Sequence, residues 1–179
     1  RDLRMSRGLG DVYKRQVDNI LMAKYRNANM SLEDLEVAGA ALLNSDYMDE
    51  YRASIVKAGH CDPNILGVIS DMVLEVDAVD ICIVFNFQGG GVKFSVRSCI
   101  KEVNASELAA ELSKDIGSGG GHWGKAGGFL SMPLLTKEYT KFCQERNFEP
   151  RMEFDDEGKW EHPSLSGVKA VLSLSLIHI

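Results

Sequence analysis

Apolar residues recur at helical spacing through the first part of the chain, up to about residue 75. The spacing defines four segments, and three of them open with residue pairs that are typical of helix starts. The predicted helices are one over 17–28, one opened by Ser31 and Asp34, one opened by Asp46 and Asp49 and ended by Gly59, and one opened by Asp62 and Pro63.

The pattern changes to a period of two near residue 79. Segments 79–88 and 92–100 are rich in β-branched and aromatic residues, and the three glycines between them predict a hairpin turn. A two-residue turn at 90–91 would place Cys82 opposite Cys99. One face of this hairpin is apolar and belongs in a core. The other face is small, polar and cationic, and it faces either a ligand or solvent: Cys82, Val84, Asn86, Lys93, Ser95, Arg97 and Cys99.

Helical spacing returns after the hairpin. Asn104 and Glu107 cap a predicted helix that Gly117 ends, and a glycine-rich loop follows it. A last helix is predicted over 136–147, and a polar hairpin or extended tail follows it. Together these elements predict an α/β fold, with a mixed β-sheet flanked by helices and preceded by a helical region.

Composition narrows the class of protein. The chain has 179 residues, of which 45% are hydrophobic and 26% are charged, so we expect one domain with an appendage. No apolar stretch is long enough for a spanning helix. The net charge of −6 argues against a broad basic surface for duplex DNA. The four cysteines form no C-x-x-C pair and no secretion signal precedes them, so we expect reduced thiols and a cytoplasmic location.

Both ends of the chain differ from its middle. Residues 1–16 show no periodicity, and residues 173–179 are apolar without a helix cap. Both segments resemble translated sequencing-adapter read-through, which is excluded from reasoning about the fold. A frayed basic N-terminus and a final strand are the alternative. We expect residues 1–16 to be disordered and the native segment to be residues 17–172 of a longer protein.

The glycine-rich segment over 117–128 is the candidate binding site. It holds seven glycines together with His122 and Lys125. Successive glycine amides can form a nest for an anion, and the two basic side chains can bind phosphate. Because a helix C-terminus precedes the segment, we expect the helix dipole to be unfavourable for an anion there. Loop amides, Lys125 or Arg97 would then have to hold the phosphate. A flexible structural loop is the alternative.

The order of the motifs is more specific than the glycines alone. A hairpin that ends in F-S-V-R-S, a capped helix and G-G-G-H-x-x-x-A-G-G-F follow one another. This order resembles the DHH-associated domain (subfamily one), the C-terminal substrate-binding domain of DHH phosphoesterases. The resemblance covers about 62–130. Its matching residues are Gly119, Gly120, Gly121, His122, Ala126, Gly127, Gly128, Ser95, Arg97 and Ser98.

The sequence departs from the family pattern at two points. Three residues separate His122 from Ala126, where the family usually has two, and Gly127 replaces the second small residue. The related domain of alanyl-tRNA synthetases also resembles this segment, but it typically has a basic residue where His122 stands. A tRNA-binding or editing-associated module and a non-enzymatic interaction domain therefore remain alternatives.

The resemblance implies a division of labour. Members of the family carry an Asp-His-His motif on an N-terminal catalytic domain that binds two Mn²⁺ or Mg²⁺ ions. The sequence holds no Asp-His-His, so we expect this chain to lack the metal centre and to be inactive alone. Residues 17–60 would be the helical end and linker of the catalytic domain, 61–149 the substrate-binding domain, and 150–172 an extension.

The resemblance also implies the ligand. The domain would bind a mono- or dinucleotide, or a short single-stranded nucleic acid, for a parent enzyme that hydrolyses phosphodiester or phosphomonoester bonds. Trp123 would stack on a base or pack against the loop. The expected ligand-binding residues are Gly119, Gly120, Gly121, His122, Arg97, Lys125, Ser95 and Ser98.

Overall fold

The start of the described chain is a capped helix. A computed structural model describes residues 30–154 and 161–174. The chain falls into two units, Arg1–Leu35 and Glu36–Ile179. The backbone N–H of Asp34 donates to Ser31 Oγ at 3.0 Å, and that of Ser31 donates to the Asp34 carboxylate at 2.9 Å. The predicted capping box is therefore confirmed, whereas the helix expected over 17–28 lies outside the described residues.

The second unit is built on a six-stranded sheet. Its strand order is β1-β2-β3-β4-β6-β5, and a separate pair is formed by β7 and β8. Strands β2 and β3 are parallel, and the other neighbours in the large sheet are antiparallel. The α/β class with a mixed sheet is confirmed. The strands are β1 (Asp46–Met48), β2 (Ala53–Lys57), β3 (Ile81–Gln88), β4 (Gly91–Ser98), β5 (Gly117–Gly121), β6 (Lys125–Ser131), β7 (Met152–Phe154) and β8 (Glu161–Pro163).

Helices cover both faces of the large sheet. The helices are α1 (Leu32–Leu43), α2 (Pro63–Val73), α3 (Ala105–Ser113), α4 (Met132–Glu145) and α5 (Leu165–Leu174). Helix α2 connects the parallel strands β2 and β3 and packs on β3 and β4. Apolar residues of α3, α4 and α5 form one core with the other face of the sheet. As predicted, Asp62 caps α2 by accepting the Asn64 N–H at 2.8 Å.

The β3–β4 hairpin has the predicted faces but a different register. Its turn is at Gly89 and Gly90, whose φ angles are 59° and 77°, rather than at 90–91. Cys82 therefore lies opposite Arg97, and the prediction that it faces Cys99 is wrong. A register shift of two residues preserves the alternation of side chains, so the predicted apolar face remains the one that enters the core.

The helix predicted over 46–59 is also wrong. Strands β1 and β2 occupy this segment, with a short 3₁₀ turn between them. Arg52, with φ 46°, adopts the left-handed conformation after that turn, and its Nε donates to Asp80 at 2.7 Å. Residues 53–56 are all buried between β1 and β3. A strand buried on both faces is apolar without alternation, so its sequence does not reveal a period of two.

Several of the remaining helices and strands are of the predicted type, but some begin or end at other residues than predicted. Helix α3 ends at Ser113, before Asp115 with its φ of 63°, rather than at Gly117. Helix α4 begins at Met132, and Pro133 lies in its first turn. Strands β7 and β8 pair antiparallel, which agrees with the hairpin and not with the extended tail, and the residues between them lie outside the described ranges. Within residues 30–154 and 161–174, no helix is long and apolar enough to cross a membrane.

Candidate functional site

The glycine-rich segment is a β-hairpin and not a loop. Strands β5 and β6 pair along their length. His122 N–H donates to the Lys125 carbonyl at 2.8 Å, and Lys125 N–H donates to the His122 carbonyl at 3.3 Å, which closes a turn over Trp123 and Gly124. Gly119, Gly120 and Gly121 belong to β5, and none of the three has a positive φ. The expected amide nest is therefore absent from these extended residues.

The glycines allow α3 to approach β5. A Cβ atom on Gly119 would lie 2.3 Å from the Ala109 carbonyl oxygen and 2.9 Å from Ser113 Oγ. The N–H of Gly121 donates to Ser106 Oγ at 3.1 Å. A Cβ atom on Gly120 would meet nothing closer than Ser106 Oγ at 3.9 Å. Helix α3 thus packs directly against the strand backbone at Gly119, while Gly120 leaves space.

The direction of α3 reverses the expectation about its dipole. The helix runs back along β5, so Ser113 near its end approaches Gly119 and Ser106 near its start approaches Gly121. At the tip of the hairpin, Ala105 N–H donates to the Trp123 carbonyl at 2.7 Å. The end of α3 beside the tip is its N-terminus, where the partial charge is positive and favours an anion.

Three basic side chains lie in one row across the sheet. Arg97 on β4 pairs with Lys125 on β6, and the hairpin turn pairs Lys125 with His122. Directly opposed residues in antiparallel strands project to the same face, with Cβ atoms about 5 Å apart. His122 is exposed, and the Lys125 side chain is 64% exposed. This row is the part of the predicted site that the fold brings together.

Helix α2 covers the inner end of the row. The Arg97 side chain is 14% exposed, and its Nη1 donates to Ser95 Oγ at 3.0 Å and to the Val96 carbonyl at 3.2 Å. A Cβ atom on Gly67 of α2 would lie 2.6 Å from Arg97 Nη2, so this glycine makes room for the guanidinium. The polar face of the hairpin was expected to face ligand or solvent. Its inner part is instead buried beneath α2.

Asp71 on α2 joins the row, and sequence reasoning missed it. Its carboxylate accepts from Arg97 Nε at 2.8 Å and from Lys125 Nζ at 3.2 Å. No local motif marks this residue, since it reaches Arg97 and Lys125 only through the packing of α2 on the sheet. Its presence means that two cations of the row share one negative charge.

The two predicted serines have supporting positions. Ser95 is 7% exposed, and its hydroxyl also accepts from Ser70 Oγ at 3.3 Å. Ser98 is 6% exposed and donates to the Ile100 carbonyl at 3.3 Å. The Ser98 N–H donates to the Gly124 carbonyl at 3.1 Å, which fastens the hairpin turn to β4. The serines thus hold Arg97 and the turn in place.

A buried thiol lies beneath the same helix. Cys82 is opposite Arg97 and is fully buried. Burial raises the pKa of the Cys82 thiol to about 12 from the ordinary value of 9.0, and the Arg97 charge offsets part of that rise. This thiol therefore stays protonated and supplies no nucleophile at neutral pH.

The described residues do not form a metal centre. Within the ranges that the structure covers, no group of three His, Cys, Asp or Glu side chains could hold a metal ion. The two-ion site implied by the family resemblance does not fit these residues.

Known proteins share part of this sequence pattern and its fold. A family model described as the DHHA1 domain matches residues 51–145. None of the curated protein sequences matches the chain. An exopolyphosphatase-related protein from Bacteroides fragilis is 15% identical, with a TM-score of 0.62, and the match covers 99% of this chain and 44% of that one. The chain thus has the fold of that protein and spans less than half of its length.

Two further solved structures are more distant. The C-Ala domain of alanyl-tRNA synthetase from Aquifex aeolicus is 21% identical with a TM-score of 0.43, and the match covers 57% of this chain and 96% of that one. RecJ from Thermus thermophilus, in complex with Mn²⁺, is 18% identical with a TM-score of 0.44, and the match covers 79% of this chain and 21% of that one.

Proposed function

The chain belongs to the DHHA1 domain family, and from that premise we propose that it binds the phosphate of a mono- or dinucleotide or of a short single-stranded nucleic acid. The observation that carries the proposal is the row of His122, Lys125 and Arg97 on one face of the sheet. Ammonium and imidazole groups bind phosphate oxygens through charge-assisted hydrogen bonds. His122 and Lys125 are the accessible members of the row, so they make the direct contacts.

The hairpin backbone supports the same ligand. Gly120 pairs with Gly127, and by strand alternation both share the face of His122 and Lys125. At Gly120 a Cβ atom would meet nothing closer than Ser106 Oγ at 3.9 Å, so a ligand can approach the backbone there beside the cations. Trp123, which is 44% exposed at the tip, offers a ring on which a base can stack.

The acidity of the chain favours short ligands. Its net charge is −6, so a long polyanion meets repulsion over most of the surface, whereas a short nucleotide meets only the cationic row. The parent protein would hydrolyse phosphodiester or phosphomonoester bonds on a separate domain with Mn²⁺ or Mg²⁺. In that arrangement the present chain holds the substrate's phosphate.

Equilibrium binding tests the proposal. The 179-residue chain is titrated, without metal, with a 5′-phosphorylated mononucleotide, a dinucleotide and a longer single strand. We expect the longer strand to bind no more tightly than the two short ligands, because most of its length meets the acidic surface. We expect His122→Ala and Lys125→Ala each to weaken binding about tenfold because each removes one charge-assisted contact. Lys114→Ala is the matched control, since Lys114 is 65% exposed and its ammonium pairs with Glu111, outside the row.

Two results would overturn the proposal. One is an absence of binding by protein that melts cooperatively. The other is an equal loss in Lys114→Ala and Lys125→Ala, which would indicate general attraction to the surface and no site. A marked preference for the longest strand would instead favour a tRNA-binding module of the synthetase type. Arg97→Ala is read together with its melting temperature, because Arg97 also fastens α2 to the sheet.

A further inference from the structure

Asp71 lies between two cations that come from different strands. Its Oδ1 accepts from Arg97 Nε at 2.8 Å and from Lys125 Nζ at 3.3 Å, and its Oδ2 accepts from Lys125 Nζ at 3.2 Å. Among the ion pairs of the described residues, this is the one carboxylate with two cationic partners. Asp71 thus occupies the position that an anion would take between the two side chains.

The two partners of Asp71 differ in how firmly they are held. The Arg97 side chain is 14% exposed and makes further hydrogen bonds to Ser95 and Val96. The Lys125 side chain is 64% exposed and ends a flexible stem, so its contact with Asp71 exchanges readily with solvent. Asp71 itself is 49% exposed. An incoming anion can therefore take Lys125 from Asp71 while Arg97 keeps the carboxylate in place.

The Asp71 carboxylate lowers the positive charge that is available to an incoming anion. Arg97, Lys125 and Asp71 together carry one net positive charge, whereas the two cations alone carry two. A phosphate bound to Lys125 lies close to the retained Asp71 carboxylate, and two negative charges at such a distance repel.

We infer that Asp71 is an affinity-determining residue, an internal carboxylate that competes with the ligand's phosphate for Lys125. The inference rests on the proposed function. It assigns to α2 a direct influence on binding, although α2 lies outside the glycine-histidine hairpin. The affinity for the ligand is therefore set by how well its phosphate competes with Asp71 for Lys125.

Substitution of Asp71 tests the inference. The 5′-phosphorylated dinucleotide is titrated into the wild-type chain and into Asp71→Asn, Asp71→Glu and Glu75→Gln. Because one repelling charge is removed beside the bound phosphate, we expect Asp71→Asn to bind roughly tenfold more tightly. Asp71→Glu keeps the charge and should remain within about threefold of the wild type. Glu75→Gln removes an equal charge from an exposed residue just beyond α2, and it should also remain within about threefold.

The outcomes separate this inference from the proposed function. If the wild type binds the dinucleotide and folded Asp71→Asn binds it equally tightly or more weakly, the inference alone is overturned. Asp71 would then position the cations and not compete with the ligand. An equal gain in Glu75→Gln also overturns it, since the effect would be one of net charge. An absence of binding by both the wild type and Asp71→Asn overturns the proposed function and the inference with it. Melting temperatures of all four proteins confirm that each compared protein is folded.

Discussion

Neighbouring glycines of β5 have different roles. A Cβ atom on Gly119 would lie 2.3 Å from a backbone oxygen of α3, which cannot move without displacing the helix, whereas one on Gly120 would meet nothing closer than 3.9 Å. We expect Gly119→Ala to lower the free energy of unfolding by about 2–3 kcal/mol, the cost of overpacking a close contact. Gly120→Ala should change it by less than about 0.5 kcal/mol, since no contact is violated.

Urea denaturation of the two variants measures this difference. Gly120→Ala serves as the control, because it adds the same methyl group to the same strand. Equal losses of stability would mean that the glycines are needed for strand conformation and not for the approach of α3. The glycine-rich motif therefore includes a position, Gly119, at which the packing of α3 leaves no room for a side chain.

At the scale of elements, local signals are the ones that the sequence predicts well. The Ser31 capping box and the Asp62 cap were predictable because their partners lie within three residues along the chain. The faces of β3 and β4 were predictable because alternation survives a shift of two residues. Strands β1 and β2 were not predictable, because residues 53–56 of β2 are buried on both faces, so its sequence shows no alternation.

The candidate site divides in the same way. His122 and Lys125 were predictable from one short motif, whereas Asp71 was not, because α2 brings it to Lys125 from 54 residues away along the chain. The high glycine content of this segment predicted an anion-binding nest of backbone amides. Pairing between β5 and β6, which composition does not reveal, makes them strands instead.

The cap of α2 gives a prediction at this scale. The Asp62 carboxylate accepts the Asn64 N–H at 2.8 Å. We expect Asp62→Ala to lower the free energy of unfolding by about 1 kcal/mol, because an N–H at the helix start loses its acceptor. Asp62→Asn should retain most of the stability, since asparagine caps equally well. Thermal melts of both variants test this, and an equal loss in both would show that the charge and not the cap is responsible.

At the scale of the whole molecule, the buried thiol of Cys82 makes stability depend on pH. Its pKa is about 12 in the folded chain against an ordinary value of 9.0. Below pH 9 the thiol is protonated in both the folded and the unfolded chain, so its titration does not lower the free energy of unfolding. As the pH rises from 9 towards 12, the unfolded chain loses this proton first, so the free energy of unfolding falls, at most by about 1.4 kcal/mol per pH unit for one group.

Denaturation curves recorded between about pH 8 and pH 11 test this dependence. We expect Cys82→Ala to be less stable at pH 8 but to lose stability more slowly than the wild type as the pH rises. Cys99→Ala is the control, because Cys99 is exposed, and its curve should run parallel to that of the wild type. Parallel curves for all three proteins would assign the alkaline loss to other groups.

The fastening of the hairpin tip has a consequence for the thermodynamics of binding. The Trp123 carbonyl is held by the Ala105 N–H and the Gly124 carbonyl by the Ser98 N–H, so the turn is tied to both α3 and β4 before any ligand arrives. A tip that is already ordered would lose little conformational entropy on binding the proposed phosphate ligand. In the proposed phosphate site, hydrogen bonds that the ligand does not touch hold the tip in place, so little of the interaction energy at His122 would be lost to ordering the turn.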